Sequence, residues 1–249
     1  MGKFDAFTVA GEREGNAAAL TAQRNAAGAP GPAYWQNRAD YDIAVELDDV
    51  QRRIRGSATI TYQNRSPDAL AYLWLQLDQN YQAHDADSRA VPNTRRGVDA
   101  AKVGYAALDR LLAQETYDGA MTLSGVTDTA GKPLAHTVVK TMLRLDLPAP
   151  LAPGANFAFK LAWEFPINDA KRLNERTGYE FFEKDGNCIY TIAQWFPRLA
   201  AYTDYAGWMH KQFLGTGEFT LEFGDYTVRL TTPADHVVAA TGVLQNPDD

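Results

Sequence analysis

The chain has 249 residues, a formal net charge of −7, and 45% hydrophobic and 11% aromatic residues. This length suits one large β-domain, and the hydrophobic content is enough for a packed core, which excludes a disordered chain. The acidic balance argues against nucleic acid as a partner, because nucleic acid requires a basic surface. No apolar run is long enough to predict membrane insertion.

The single cysteine, Cys188, cannot form an internal disulfide, so the fold does not require an oxidising compartment. We interpret it as a small buried hydrophobic residue within a strand. The first residues lack the basic and then apolar pattern of a signal peptide. The compartment is therefore not determined, with a periplasmic or secreted location favoured over a cytoplasmic one.

The chain begins with a segment, residues 1–33, that is rich in Ala, Gly and polar residues. It predicts a loosely ordered leader lying over the domain, with a short helix only at 16–27. Apolar and polar residues then alternate along 40–47 and 54–62, which predicts two strands joined as a hairpin. The following run at 69–77 is apolar on both parities and predicts a central strand covered on both faces.

Residues 81–98 are polar without a period and predict an exposed excursion, whereas 103–115 has the spacing of one short helix. Residues 168–186 predict a long charged loop. Further strands are predicted at 121–126, 137–147, 156–165, 187–195, 218–232 and 237–241. Near the end of the chain the inward parity changes from Phe219, Leu221 and Phe223 to Tyr226, Val228 and Leu230, which predicts a bulge or tight bend at Gly224 and Asp225.

These elements predict an all-β fold of mostly antiparallel sheets with one short helix. Five short motifs follow one another along it: Tyr41-Asp42-Ile43, Gly56-Ser57-Ala58-Thr59-Ile60, Leu73-Trp74-Leu75-Gln76-Leu77, Gln194-Trp195-Phe196-Pro197 and Gly217-Glu218-Phe219. In this order and spacing they resemble the amino-terminal β-domain of aminopeptidase N-like zinc metallopeptidases, the gluzincin family. The resemblance implies a saddle-like β-sandwich over 34–246, with 247–249 as the start of a linker to a missing catalytic domain.

The zinc-binding part of that family is absent from this sequence. A gluzincin site needs H-E-x-x-H and a further glutamate. The chain has four histidines, His84, His136, His210 and His236, and none lies four residues from another. We therefore predict no catalytic residue, metal site or cofactor in this chain, and we expect zinc in the missing catalytic domain.

The resemblance implies one substrate-binding residue, Gln194. In the family, a glutamine or glutamate near the end of this strand reaches into the active site and accepts hydrogen bonds from the amino terminus of the peptide substrate. An amide oxygen suits an ammonium group without adding a titratable group. This chain departs from many family members in placing only Trp195 between that glutamine and Phe196-Pro197, and an ordinary polar residue at a strand end is the alternative.

Five aromatic residues near Gln194 are candidates for an interface with the protein's own catalytic domain: Trp195, Phe196, Tyr202, Tyr205 and Trp208. Core packing is the alternative, and we favour it for Trp195 and Phe196. We favour the interface for Tyr205 and Trp208, because they lie in a polar turn, and we expect the surface of residues 194–208 to be partly exposed.

Other chemistry-bearing residues have simpler interpretations. His84, Asp85 and Asp87 lack the glycine and distal glutamate of a calcium loop and are interpreted as a solvated loop. His236 is interpreted as a turn or strand-edge residue. The functional hypothesis is thus a non-catalytic domain that caps the active site of an aminopeptidase, and the alternative is a free-standing β-sandwich module for binding or adhesion.

Overall fold

The computed structural model describes residues 22–25, 27–89, 103–173, 175, 177–215 and 220–246. Over these residues the chain is mostly β, with several antiparallel sheets and one helix of more than one turn. The predicted all-β class is confirmed.

The described strands are β1 Arg38–Asp48, β2 Arg53–Gln63, β3 Leu70–Gln76, β4 Thr122–Asp128, β5 His136–Val139, β6 Met142–Leu151, β7 Asn156–Pro166, β8 Gly178–Phe182, β9 Asn187–Thr191, β10 Arg198–Leu199, β11 Tyr202–Thr203, β12 Gly207–Trp208 and β13 Tyr226–Thr231. The helices are α1 Tyr105–Thr116 and the single turn α2 Ala170–Leu173, with 3-10 helices at Asp78–Gln82 and Asp87–Arg89.

Two main sheets form the domain. The larger has the strand order β13-β1-β2-β7-β4 and the smaller the order β10-β3-β6-β5. The predicted hairpin is confirmed, since β1 and β2 pair antiparallel along their whole length. Strand β3 lies between two neighbours as predicted, with Leu73 and Leu75 buried on one face and Tyr72 and Trp74 partly buried on the other. The pairs β8-β9 and β11-β12 complete the architecture.

One hydrophobic cluster contains residues of both main sheets, so the two sheets share a core. Along β1 the odd-numbered Tyr41, Ile43 and Val45 are buried, while Asp42 and Ala44 between them are exposed. This is the period-2 pattern that the sequence predicts, because successive side chains of a strand point to opposite faces.

The predicted excursion at 81–98 is wrong for its described part. Residues Gln82, Ala83, Ala86 and Ser88 are buried. Arg89 holds this segment, because its guanidinium donates hydrogen bonds to the carbonyl oxygens of Ala83, Gln114 and Tyr117. The segment is thereby tied to the carboxyl end of α1, and 90–98 lies outside the described residues.

Three further predictions need correction. The strand predicted at 137–147 is the hairpin β5-β6, because Lys140 adopts the left-handed conformation with φ of 54° and reverses the chain. The predicted loop at 168–186 contains α2 and β8, which pairs with β9. No strand forms at 237–241. Residues 237–241 are exposed, and no described strand pairs with them.

The leader prediction is only partly within the described residues. Residues 16–21 and 26 of the predicted helix lie outside them, and residues 22–25 are not helical. Instead Arg24 forms an isolated β-bridge with Pro30. Cys188 on β9 is partly exposed rather than buried as predicted.

The bend predicted near Gly224 is present, but part of the parity is wrong. The Cβ that an alanine would add at Gly224 would lie 1.7 Å from the carbonyl oxygen of Ala39, so only glycine allows this approach to β1. Before the bend, Glu222 is buried and Phe223 is 75% exposed, the reverse of the predicted facing. After it, Tyr226 stacks on the core residue Tyr41, which agrees with the predicted side.

Candidate functional site

Gln194 lies in an irregular segment, because β9 ends three residues earlier at Thr191. Its φ is +56°, one of three left-handed non-glycine residues among those that the structure describes. This conformation crowds the Cβ of an L-residue, costs free energy, and persists only where surrounding contacts impose it. Its side chain is partly exposed to solvent.

The residue after Gln194 supplies one of these contacts. The backbone carbonyl of Trp195 accepts a hydrogen bond of 2.9 Å from the indole Nε1 of the buried Trp163. The Trp163 ring lies directly over Gly56, where an added Cβ would be 2.3 Å from it. Thus Gly56 makes space for the indole that anchors the candidate segment.

Trp195 and Phe196 pack against the core and are partly buried. The Trp195 ring lies 6.4 Å from that of Trp163. Phe196 meets Tyr41 edge-on at 5.8 Å and Tyr226 at 6.2 Å. These contacts agree with the core packing that we favour for both residues, and an interface role stays a prediction.

After Gln194 the chain continues through Pro197, which is buried, and enters β10, which pairs with β3. The backbone N–H of Leu199 donates to the hydroxyl of Tyr41 at 2.8 Å. Arg198 forms an ion pair with Asp78, whose side chain is fully buried. Burial raises the pKa of Asp78 above its usual range, although the guanidinium of Arg198 opposes this rise. The carboxyl-terminal side of the Gln194 turn is therefore fixed to the core.

Tyr202 and Trp208 are opposite each other on β11 and β12, and both are buried. Tyr202 stacks on Trp35 at 5.8 Å, and its hydroxyl donates to Asp68 at 2.7 Å. Trp208 packs 5.1 Å from Tyr202. The burial corrects the expectation that Trp208 is exposed: Tyr62 on β2 and Tyr72 on β3 pack against its indole.

Tyr205, at the tip between β11 and β12, is partly exposed. The guanidinium of Arg24 lies 5.5 Å from its ring and 5.1 Å from that of Tyr34. The same guanidinium makes a two-bond ion pair with Asp204, at 2.6 and 2.8 Å. The end of the leader is thus bound across this turn.

Glu222 is a feature that the sequence analysis missed. Its Oε1 accepts a 2.9 Å hydrogen bond from the backbone N–H of Tyr202, and burial raises the pKa of Glu222 to about 8. The carboxyl group is therefore mostly protonated at neutral pH. The sequence predicts that Leu221 and Phe223 face the core, which puts Glu222, between them, on the solvent side. The sequence therefore gives no signal of a buried acid at this position.

No group of three metal-ligating side chains occurs among the described residues. His84 is exposed and lies 3.9 Å from Glu115, and Asp87 pairs instead with Lys140 at 2.7 Å. His236 contacts Asp235 and the ring of Tyr190. In the described part of the chain, no helix has the length and apolar character needed to cross a membrane.

The geometry defines an all-β domain whose strained, anchored segment at Gln194 emerges next to the shared core. No protein-family model and no curated protein sequence matches the chain.

Solved structures give matches of low similarity. An M1 zinc metallopeptidase mutant bound to a Tyr-Ser-Ala substrate, from Deinococcus radiodurans, is 15% identical with a TM-score of 0.42, over 84% of this chain and 35% of that one. The M1 zinc metallopeptidase from Deinococcus radiodurans is 14% identical with a TM-score of 0.40, over 86% and 36%. A two-domain M1 zinc metallopeptidase mutant bound to L-tryptophan is 13% identical with a TM-score of 0.41, over 86% and 37%. This chain spans about a third of their length, and values this low assign no family.

Proposed function

We propose that this chain is the amino-terminal, non-catalytic domain of an aminopeptidase-like zinc metallopeptidase. In this role it caps the active site of its own catalytic domain, and Gln194 binds the amino terminus of the peptide substrate. The sequence has no H-E-x-x-H motif, so the proposal assigns the zinc and the hydrolytic water to that catalytic domain.

The conformation of Gln194 carries this proposal. Strained backbone conformations of non-glycine residues concentrate at ligand-binding sites. They persist only where contacts with the surrounding structure hold them in place. Here the strain falls on the residue that the motif Gln194-Trp195-Phe196-Pro197 indicates. Its neighbours are fixed by the Trp163 hydrogen bond and by the β10 pairing with β3.

The chemistry of the side chain fits an ammonium ligand. The amide oxygen of Gln194 accepts hydrogen bonds without changing its charge with pH. The backbone after Gln194 is fixed at Trp195 and in β10, which limits the positions that its side chain can reach and lowers the entropic cost of binding. The contribution of one hydrogen bond to a charged group is about 1.5 to 3 kcal/mol.

The test begins with the gene downstream of Asp249, which should encode H-E-x-x-H and a further glutamate. In the full protein, Gln194→Ala should raise KM for an aminoacyl reporter substrate by about 10- to 100-fold, the equivalent of one charged hydrogen bond. Zinc content should be unchanged. Gln194→Glu should retain binding, because a carboxylate also accepts hydrogen bonds from ammonium.

Two controls separate binding from folding. Gln194→Gly removes the side chain but tolerates positive φ, so it should lose binding with no loss of stability. Gln51→Ala removes another glutamine, on the exposed β1-β2 turn, and should leave KM unchanged. A Gln194→Ala enzyme with normal KM would refute the substrate role, and a stop codon after Asp249 would favour the free-standing binding module.

A further inference from the structure

All three guanidinium nitrogens of Arg24 are hydrogen-bonded where the leader meets the turn between β11 and β12. Its Nε and Nη2 donate to the two carboxylate oxygens of Asp204 at 2.6 and 2.8 Å, and its Nη1 donates to the carbonyl oxygen of Gly28 at 3.0 Å. The side chain of Asp204 is 7% exposed. Two bonds to one carboxylate match the planar fork of a guanidinium, a geometry that the compact ammonium of lysine does not reproduce.

Two tyrosine rings contact the same guanidinium. Its central carbon, Cζ, lies 5.1 Å from the centre of the Tyr34 ring and 5.5 Å from that of Tyr205. Both distances are within the separation of about 6 Å at which a cation is attracted by the face of an aromatic ring. Arginine makes such contacts more often than lysine, because its flat and weakly hydrated group stacks on rings. Asp204, Tyr34 and Tyr205 together form the Asp204 site, whose chemistry suits a guanidinium.

The turn that carries this site is held by its own contacts. Thr203 and Gly207 face each other in the pairing of β11 with β12. The Thr203 hydroxyl donates to the Gly207 carbonyl at 3.2 Å and accepts from the N–H of Ala206 at 3.1 Å. The strand residues on either side, Tyr202 and Trp208, are buried in the core. None of these contacts involves the leader, so we expect the turn to keep its shape without it.

The leader, in contrast, buries none of its described residues. These are 22–25 and 27–33, and all of them are exposed or partly exposed. They form a small hairpin, in which Arg24 bridges to Pro30 and the N–H of Gly31 donates to the carbonyl of Gln23 at 2.7 Å. Segments with few buried apolar contacts open at a low free energy. The contacts of Arg24 with the Asp204 site therefore decide whether the hairpin stays bound to the domain.

We propose that the Asp204 site is a binding site for the guanidinium of arginine, which the leader occupies in cis through Arg24. The arginine side chain of another peptide forms the same contacts and competes with Arg24. The leader is thereby a latch that closes the site to arginine-bearing peptides. None of the contacts that define the site involves Gln194, and guanidinium binding here does not depend on the proposed function.

Ligand binding to Arg24→Ala in the 249-residue chain tests the site. Acetyl-arginine amide should cause saturable NMR shifts at the amides of residues 203–206 and should raise the Tm, because it binds the folded chain. Acetyl-lysine amide should bind at least about tenfold more weakly, since its ammonium is more strongly hydrated and lacks the fork. The original chain should show no binding at the same concentration, because the tethered Arg24 competes at a high effective concentration.

A second substitution identifies the carboxylate. Asp204→Asn added to Arg24→Ala should weaken the binding of acetyl-arginine amide at least about tenfold, because it removes the charge and one of the two acceptor oxygens. The matched control is Asp185→Asn, at an exposed position of the β8-β9 turn, which should leave the binding unchanged.

Digestion with trypsin tests the latch without changing the cleavage site. Cleavage after Arg24 should be at least about tenfold faster in Asp204→Asn than in the original chain, because the hairpin opens more often, and Asp185→Asn should match the original. Equal cleavage in Asp204→Asn and the original chain would overturn the latch. An Arg24→Ala chain that binds neither amide, binds both equally or does not fold would overturn the guanidinium site.

Discussion

At the scale of single residues, Glu222 couples the stability of this domain to pH. Its folded pKa of about 8 lies above the 4.5 of a solvated glutamate. Between these values the folded chain keeps a proton that the unfolded chain releases, so stability falls as pH rises. The slope from this one group is at most about 1.4 kcal/mol per pH unit. It is steepest between the two pKa values.

Glu222→Gln should remove this slope while keeping an acceptor for the N–H of Tyr202. Urea unfolding at pH 5 and pH 8 should therefore show a smaller loss of stability for the variant than for the original chain. Glu183→Gln, at an exposed loop position, is the control and should retain the original slope. If the free energy of unfolding falls equally with pH in the original chain and in Glu222→Gln, ionisation of Glu222 does not destabilise the folded chain.

At the scale of elements, the junction between β1 and β13 depends on Gly224. An added methyl group would overlap the Ala39 carbonyl, which belongs to the backbone of β1 and cannot rotate away. We expect Gly224→Ala to lower the free energy of unfolding by about 1 to 3 kcal/mol, in the range of overpacking substitutions. It should also speed hydrogen exchange at the Tyr41 amide, which pairs with Asp225.

The matched control for that element is Gly125→Ala on β4. An added Cβ there has no neighbour within 4 Å, so the change should be small. Chemical denaturation of the two variants gives the comparison. Equal stability of Gly224→Ala and Gly125→Ala would contradict this prediction. It would mean that the backbone at Gly224 can shift away from the Ala39 carbonyl of β1 without lowering the free energy of unfolding.

At the scale of the whole molecule, we expect the isolated chain to bind no stoichiometric zinc and to release no product from an aminoacyl reporter. The sequence has no pair of histidines four residues apart, and H-E-x-x-H zinc sites require one. Elemental analysis after dialysis checks the expected absence of stoichiometric zinc. A turnover assay with added zinc checks the expected absence of product. Tight one-to-one zinc with turnover would contradict the proposed function of a non-catalytic domain.

Local patterns in the sequence were sufficient for much of the fold. The β1-β2 hairpin, the α1 helix and the bend at Gly224 were predictable, because side-chain alternation, helical spacing and glycine geometry depend on near neighbours along the chain. The absence of H-E-x-x-H from this chain is likewise a property of the sequence alone.

Long-range contacts decided the rest. Residues 237–241 are predicted as a strand but have no described partner, and a ladder cannot form without one. Trp208 is buried because Tyr62 and Tyr72 lie beside it, and the carboxyl group of the buried Glu222 accepts a hydrogen bond from the backbone N–H of Tyr202. The left-handed conformation of Gln194 is set by anchors from strands far along the chain, so only the tertiary structure marked that residue as strained.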